Sequence, residues 1–141
     1  MIENFRLPFR YRSKSRNREG AALIEFAVCL PVLFILVLGS MEATSAIFVR
    51  QALTTSAYEG IREATLAGGT TADATARAQS ILTVRNIRGS TIRFQPADVR
   101  SVLRGEPVSI EVSAPFAANS TFFGNVIADR TTTVRTVMVK E

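Results

Sequence analysis

The sequence contains no histidine, no tryptophan and a single cysteine, Cys29, among its 141 residues. Without histidine, the chain cannot build a zinc site of the His/Cys type or a histidine-dependent catalytic triad. One cysteine cannot form a disulfide within the chain, so the fold does not depend on one. Cys29 lies in an apolar run, where we interpret it as a small apolar helix residue. We therefore expect no metal and no other cofactor.

Recognisable catalytic motifs are also missing. There is no glycine-rich phosphate loop, and no motif places a base beside a serine or threonine. Two pairs of carboxylates are present, Asp98 with Glu106 and Glu59 with Glu63. The second pair is spaced four residues apart on a predicted helix with Arg62 beside it, which is typical of a solvated helix face. We predict that the protein is not an enzyme.

The net charge of +5 is concentrated at the start of the chain. Residues 1–20 hold 6 basic and 2 acidic residues, whereas residues 21–141 hold 11 basic and 10 acidic residues. A basic stretch directly before an apolar span stays in the cytoplasm and is attracted by anionic lipid. A nucleic-acid-binding arm is the alternative, but no basic face interleaved with aromatic residues supports it. We expect membrane lipid, and no nucleic acid, as a partner.

A long apolar run follows the basic leader. From Ala21 to Leu38 there are 18 residues with one charge, Glu25. At 1.5 Å per residue this run reaches roughly 27 Å, close to the thickness of a bilayer's hydrocarbon core. A buried helix of a soluble protein is the alternative, although such helices rarely stay apolar on every side. We predict a leader over 1–20, disordered over 1–19 until something binds it, and a transmembrane helix over 21–41.

The helix is predicted to continue beyond the apolar run, but with apolar residues on one side only. Gly68 and Gly69 provide its stop, because glycine accepts the left-handed conformation of a helix C-cap. The amphipathic half therefore covers 42–67 and ends near Leu66. Its apolar stripe is formed by Ala46, Val49, Leu53, Ala57, Ile61 and Ala64.

Residues 70–141 are predicted to form a globular part with a short helix and a small antiparallel sheet. Thr70 is a candidate N-cap with Asp73 three residues on, and Gly89 ends the segment. The buried face of this helix is predicted to be Ala74, Ala78 and Leu82, with Ile81 beside them.

After Gly89 the apolar period changes from helical to two, which indicates strands. Three strands are predicted, around Ile92–Phe94, Val108–Ala114 and 131–140, with 98–103 as an optional fourth. A turn is predicted at 104–107, and a loop at 115–125 with Phe122 and Phe123 as anchors. The fold class is α+β, with the stripe of the long helix covering the apolar face of the sheet.

One short motif stands at the junction of leader and span. The basic leader ends in Gly20, the apolar span starts at Ala21, and the fifth residue after the glycine is Glu25, followed by Phe26. This pattern resembles type IV pilins and pseudopilins, and more closely the TadE-like family of the tight-adherence (Flp-type) pilus machinery. The resemblance covers Arg18 to about Leu66. The rest of the chain is similar to that family only through the order of a helix followed by strands.

The resemblance implies that a prepilin peptidase cuts between Gly20 and Ala21 on the cytoplasmic side of the bacterial inner membrane. It also implies that Glu25 pairs with the new amine of a neighbouring subunit during assembly. The partners would be other pilin or pseudopilin subunits and the inner-membrane assembly platform, and the C-terminal part would be periplasmic or extracellular. Flp-type major pilins are much shorter and usually carry tyrosine where this chain has Phe26, which favours a minor pilin or pseudopilin.

Simpler interpretations of the same residues stay open. Glu25 lies only about 6 Å along the helix from Ala21, so its carboxylate can reach the lipid headgroups without any role in assembly. Pro31 leaves the carbonyl of Ala27 without a helical partner, and it either bends the helix or marks a point that loosens during assembly. The whole protein could also be an unprocessed, single-pass anchor for an envelope-binding domain. An ordinary signal peptide is disfavoured, because the apolar run is too long and continues as helix.

Overall fold

The computed structural model describes residues 16–122, 124 and 130–141, with side chains from Gly20 onward. The chain divides into two compact units, one ending at Val37 and one spanning Leu38–Glu141. The elements in order are α1 (Arg16–Thr65), α2 (Thr71–Val84), β1 (Thr91–Gln95), a 3-10 helix (Val99–Ser101), β2 (Pro107–Pro115), α3 (Phe116–Asn119) and β3 (Thr131–Val139). This order confirms the predicted α+β class.

Helix α1 is 50 residues long. It begins at Arg16, before the predicted start of the membrane helix at Ala21. Residues 16–19 are helical, whereas we predicted no regular structure there. No helix breaker other than Gly20 separates them from the apolar run, so the helix extends backwards by one turn. The predicted disorder of residues 1–15 lies outside the described residues. At the other end, Gly68 has a φ of 83°, in the left-handed region expected for the stop.

The second unit is organised around the predicted stripe of α1. Five of its residues, Val49, Leu53, Ala57, Ile61 and Ala64, are buried, and Ala46 is half-buried. Most of this stripe packs against α2 and β2 in one core cluster, which includes Ala78, Leu82, Ile110 and Val112. The stripe therefore covers the apolar face of the sheet, as the sequence predicts.

Helix α2 begins as predicted and ends earlier than predicted. The hydroxyl of Thr70 accepts a hydrogen bond from the backbone N–H of Asp73, as an N-cap does. The helix ends at Val84, five residues before Gly89. Asn86 has a φ of 56° and leaves the helical conformation there. Asparagine adopts left-handed backbone more readily than most residues, so it takes the place that we assigned to glycine.

The sheet has three strands in the order β1-β2-β3, and both pairs are antiparallel. The optional fourth strand at 98–103 is wrong. That segment contains the 3-10 helix, because the carboxylate of Asp98 accepts a hydrogen bond from the N–H of Arg100 and tightens the chain into a turn. In the predicted loop, residues 116–119 form α3, and Phe122 is half-exposed rather than an anchor. Phe123 lies outside the described residues.

Candidate assembly surface and its surroundings

The five predicted site residues all lie on the first part of α1. Gly20 and Ala21 are exposed and lie within helical backbone. A side chain added at Gly20 would meet no other atom within 4 Å. At the predicted cleavage bond, the Gly20 Cα and the Ala21 side chain are therefore accessible to another protein.

Glu25 and Phe26 lie one turn further along α1. Both are exposed, and 60% of Phe26 is accessible. Within the part of the chain that the structure describes, the Glu25 carboxylate accepts no hydrogen bond and forms no ion pair. An acidic group with no partner of its own can bind a cation from another chain.

The helix passes through Pro31 without interruption. Since proline has no N–H, the carbonyl of Ala27 has no helical partner at this point. Pro31 thus lies inside an otherwise regular helix, and its role as a bend or as a weak point stays a prediction.

These residues share one large apolar surface. All side chains from Gly20 to Val37 are exposed, including Cys29. An 18-residue window of this helix has a mean hydropathy of 2.7, and none of it is buried. It is long and apolar enough to cross a membrane. The large apolar residues exposed here are Leu23, Ile24, Phe26, Val28, Leu30, Val32, Leu33, Phe34, Ile35, Leu36 and Val37. Exposed apolar surfaces of this size are typical of sites that contact lipid or other apolar surfaces.

A second acidic residue of α1, Glu42, has the opposite environment to Glu25. It is 7% exposed. Ser120 donates a hydrogen bond from Oγ to one oxygen of its carboxylate, and the N–H of Phe122 donates to the other oxygen at 3.1 Å. Sequence reasoning missed this residue, because a single glutamate after an apolar run does not reveal what folds over it.

A cavity of about 490 Å³ lies in the second unit, lined in part by Ser45 and Ser120. Its lining includes Phe48, Arg85, Arg88 and Asn119. The Asn119 side chain holds the rim together: its carbonyl accepts from the N–H of Arg88, and its amide donates to the carbonyls of Arg88 and Pro115. The side chain of Asn119 therefore fixes the position of α3 against the segment after α2.

Three of the four carboxylates considered as catalytic pairs have local structural partners. Glu106 accepts a hydrogen bond from the N–H of Leu103, and Asp98 caps the 3-10 helix. Glu59 forms an ion pair of 3.1 Å with Arg77 of α2. Among the described residues, no group of three or more Cys, Asp or Glu side chains could hold a metal ion.

The protein is thus an α+β protein with one long helix whose exposed first part is apolar enough to span a membrane. Residues 20–62 match the model of a family described as TadE-like protein. This match confirms the resemblance found in the sequence, over the first helix alone. No curated protein matches the chain, and no solved structure does.

Proposed function

We propose that this chain is a minor pilin or pseudopilin that takes part in assembling a tight-adherence type IV pilus for surface attachment. The observation that carries the proposal is the match of residues 20–62 to the TadE-like family. The exposed apolar surface from Gly20 to Val37 supports it, because the same surface can face lipid before assembly and neighbouring helices afterwards. The domains follow from this: a leader over 1–20, a membrane span over 21–41, an amphipathic half over 42–67 and an extracytoplasmic part over 70–141.

The first step of the proposed function is cleavage by a prepilin peptidase between Gly20 and Ala21. The bond lies in helical backbone, so the peptidase must unwind the helix locally before it can cut. Glycine makes this easier, because a glycine inside a helix costs about 1 kcal/mol relative to alanine. Its bare Cα also lets the backbone of the peptidase approach closely. Cleavage would remove 6 of the 17 basic residues.

The second step is recognition between subunits through Glu25. Cleavage would create a free amine at Ala21, which is cationic at neutral pH. The Glu25 carboxylate is exposed and has no described partner, so it is free to bind the amine of a neighbouring subunit. In apolar surroundings such a pair offsets the desolvation of both charges, and either charge alone would be unfavourable. This pairing would favour insertion of each subunit at one depth in the bundle.

The proposed cleavage is tested by the mature N-terminus. The full chain is expressed in a host that has a prepilin peptidase, and in the same host lacking it. Intact mass and N-terminal sequencing should show Ala21 as the first residue only in the first host. A chain that retains Met1 in both hosts would instead favour an unprocessed single-pass anchor that carries an envelope-binding domain.

Two glycines of α1 provide a matched pair for locating the site. Gly39, like Gly20, is an exposed helical glycine with no atom within 4 Å of an added side chain. We expect Gly20→Leu to block cleavage, because its side chain would keep the peptidase backbone away. Gly39→Leu should be processed like the unmodified chain. Equal processing of both variants would show that the bond has been assigned to the wrong place.

A further inference from the structure

Strand β3 is the longest free edge of the sheet. It pairs with β2 over nine consecutive residues without a bulge, and no described strand lies on its other side. At roughly 3.4 Å per residue the edge is about 30 Å long. A long, regular edge is a ready template for another strand.

The hydrogen bonds at the two ends of β3 show which backbone groups face outward. The N–H of Phe116 donates to the carbonyl of Arg130 at 2.8 Å, and the N–H of Lys140 donates to the carbonyl of Glu106 at 3.0 Å. Bonding alternates along an antiparallel pair, so the even-numbered residues of β3 bond to β2. The N–H and C=O groups that point away from the sheet belong to Thr131, Thr133, Arg135, Val137 and Val139. Within the described part of the chain, no hydrogen bond satisfies them.

The opposite edge of the sheet is far less open. Strand β1 has five residues, and the register with β2 leaves only Ile92 and Phe94 with backbone groups facing outward. Pro96 follows the strand directly and has no N–H to donate. A strand that joins this sheet therefore finds more than twice as many backbone partners on β3 as on β1.

The composition of β3 favours pairing with a strand, but not with a second copy of itself. The strand contains neither proline nor glycine, and seven of its nine residues are β-branched. Its one charged residue is Arg135, and the residues that flank the strand, Arg130 and Lys140, are also positive, with no acid between 130 and 140. Full antiparallel pairing of two copies would place Arg135 opposite Arg135 and Arg130 opposite Lys140. Like charges directly opposite each other are destabilising.

We propose that the free edge of β3 accepts an extended, acidic segment of a different polypeptide as a fourth strand. The backbone groups of the five outward residues would provide the hydrogen bonds. The Arg135 side chain is exposed on the same face that an opposing acidic side chain would occupy. Its guanidinium donates one hydrogen bond to Ser109 at 3.3 Å and keeps further N–H groups for a carboxylate.

The test uses the full chain in detergent micelles and a fluorescent nine-residue peptide. The peptide alternates valine with threonine and carries glutamate at both ends and in the middle; its control carries lysine at the same three positions. We expect the acidic peptide to bind at least ten-fold more tightly in fluorescence anisotropy. Hydrogen exchange should then slow at the amides of Thr133, Arg135 and Val137, with no change at Thr132 and Val134, which already bond to β2.

Charge-reversal variants test whether the peptide binds at the edge of β3 or elsewhere on the sheet. Arg135→Glu should reverse the preference, so that the lysine peptide binds more tightly. Arg93→Glu is the matched control, because Arg93 is exposed on β1, across the sheet from Arg135 and aligned with it through Glu111. This variant should leave the preference unchanged.

Three results would overturn the proposal. The first is that neither peptide binds. The second is that Arg135→Glu and Arg93→Glu change the peptide preference equally. The third is that, without peptide, the outward amides exchange more slowly as the protein concentration rises. The last result would show that copies of this chain pair with each other. Because the test needs no cleavage of the leader, its outcome is independent of the proposed processing at Gly20.

Discussion

The buried carboxylate of Glu42 accepts a hydrogen bond from the backbone N–H of Phe122 at 3.1 Å, across 80 residues of sequence. Ser120 donates a second hydrogen bond to the same carboxylate. One turn further along α1, the hydroxyls of Ser45 and Thr121 lie 2.9 Å apart. Segment 120–122 is thus held against the start of the second unit by polar contacts, with a buried carboxyl group at their centre.

We predict that Glu42→Ala loosens this segment. Removing the carboxylate leaves the donors of Ser120 and Phe122 without their acceptor, at a cost of about 1–3 kcal/mol. Thermal unfolding in detergent should shift downward, and the Phe122 amide should exchange faster. Glu59→Ala is the control, because its ion pair with Arg77 is partly exposed and such pairs contribute about 0–1 kcal/mol. Equal losses of thermal stability in the two variants would show that the Glu42 hydrogen bonds contribute no more than the partly exposed ion pair.

A second prediction concerns Gly60, where α1 packs closely against α2 and β2. An added Cβ would lie 2.9 Å from both the Cβ of Ala78 and the Cδ1 of Ile110, and 3.3 Å from the carbonyl of Ala74. Overpacking of this kind costs about 1–3 kcal/mol, so Gly60→Ala should lower the free energy of unfolding despite alanine's better helix propensity.

The Gly60 contact can be checked by relieving it. Combining Gly60→Ala with Ala78→Gly removes one of the two shortest contacts, so the double variant should lose less stability than the sum of the two single variants. Gly39→Ala, where nothing lies within 4 Å, should not destabilise the chain. A neutral Gly60→Ala variant would show that α1 and α2 can separate without cost.

A third prediction addresses the proposed role of Glu25. Glu25→Gln keeps the size of the side chain but removes its charge, so it should insert into the membrane normally and yet be poorly incorporated into the pilus. Incorporation is measured by a pulldown of the pilus subunits. Cys29→Ser changes an exposed residue one turn away on the same face and should be incorporated normally. Normal incorporation of Glu25→Gln would rule out the charge as the recognition element.

A fourth prediction distinguishes the two interpretations of Pro31. Pro31→Ala gives the carbonyl of Ala27 its helical partner, and the replacement of proline should stabilise the helix by up to about 3 kcal/mol. If the weak point is needed when the helix leaves lipid, membrane insertion will be unchanged and incorporation into the pilus will fall. Unchanged incorporation would identify Pro31 as a simple bend. Hydrogen exchange around Ala27 reports the local change in either case.

Local patterns in the sequence were sufficient for most elements of this fold. The stripe from Val49 to Ala64, the cap at Thr70 and the alternation around Ile92 and Val112 each depend on residues close in the chain. Helices and strands bury one face with a fixed period, so such patterns indicate both the element and its buried side. These patterns failed where a polar side chain forms a local hydrogen bond with the backbone. Asp98 does so at the start of the 3-10 helix, where a fourth strand was predicted.

The sequence by itself determined the apolar first part of α1 with its single acid, the stripe that continues it, and the three strands of the sheet. Only the tertiary structure decided which strand is left at the edge, which backbone groups of β3 point outward, and that Glu42 is buried while Glu25 is exposed. The physical reason is the separation along the chain between the residues that interact. Periodicity and capping act within one or two turns of chain, whereas strand order, close approach at Gly60 and the burial of the Glu42 carboxyl group depend on segments up to 80 residues apart.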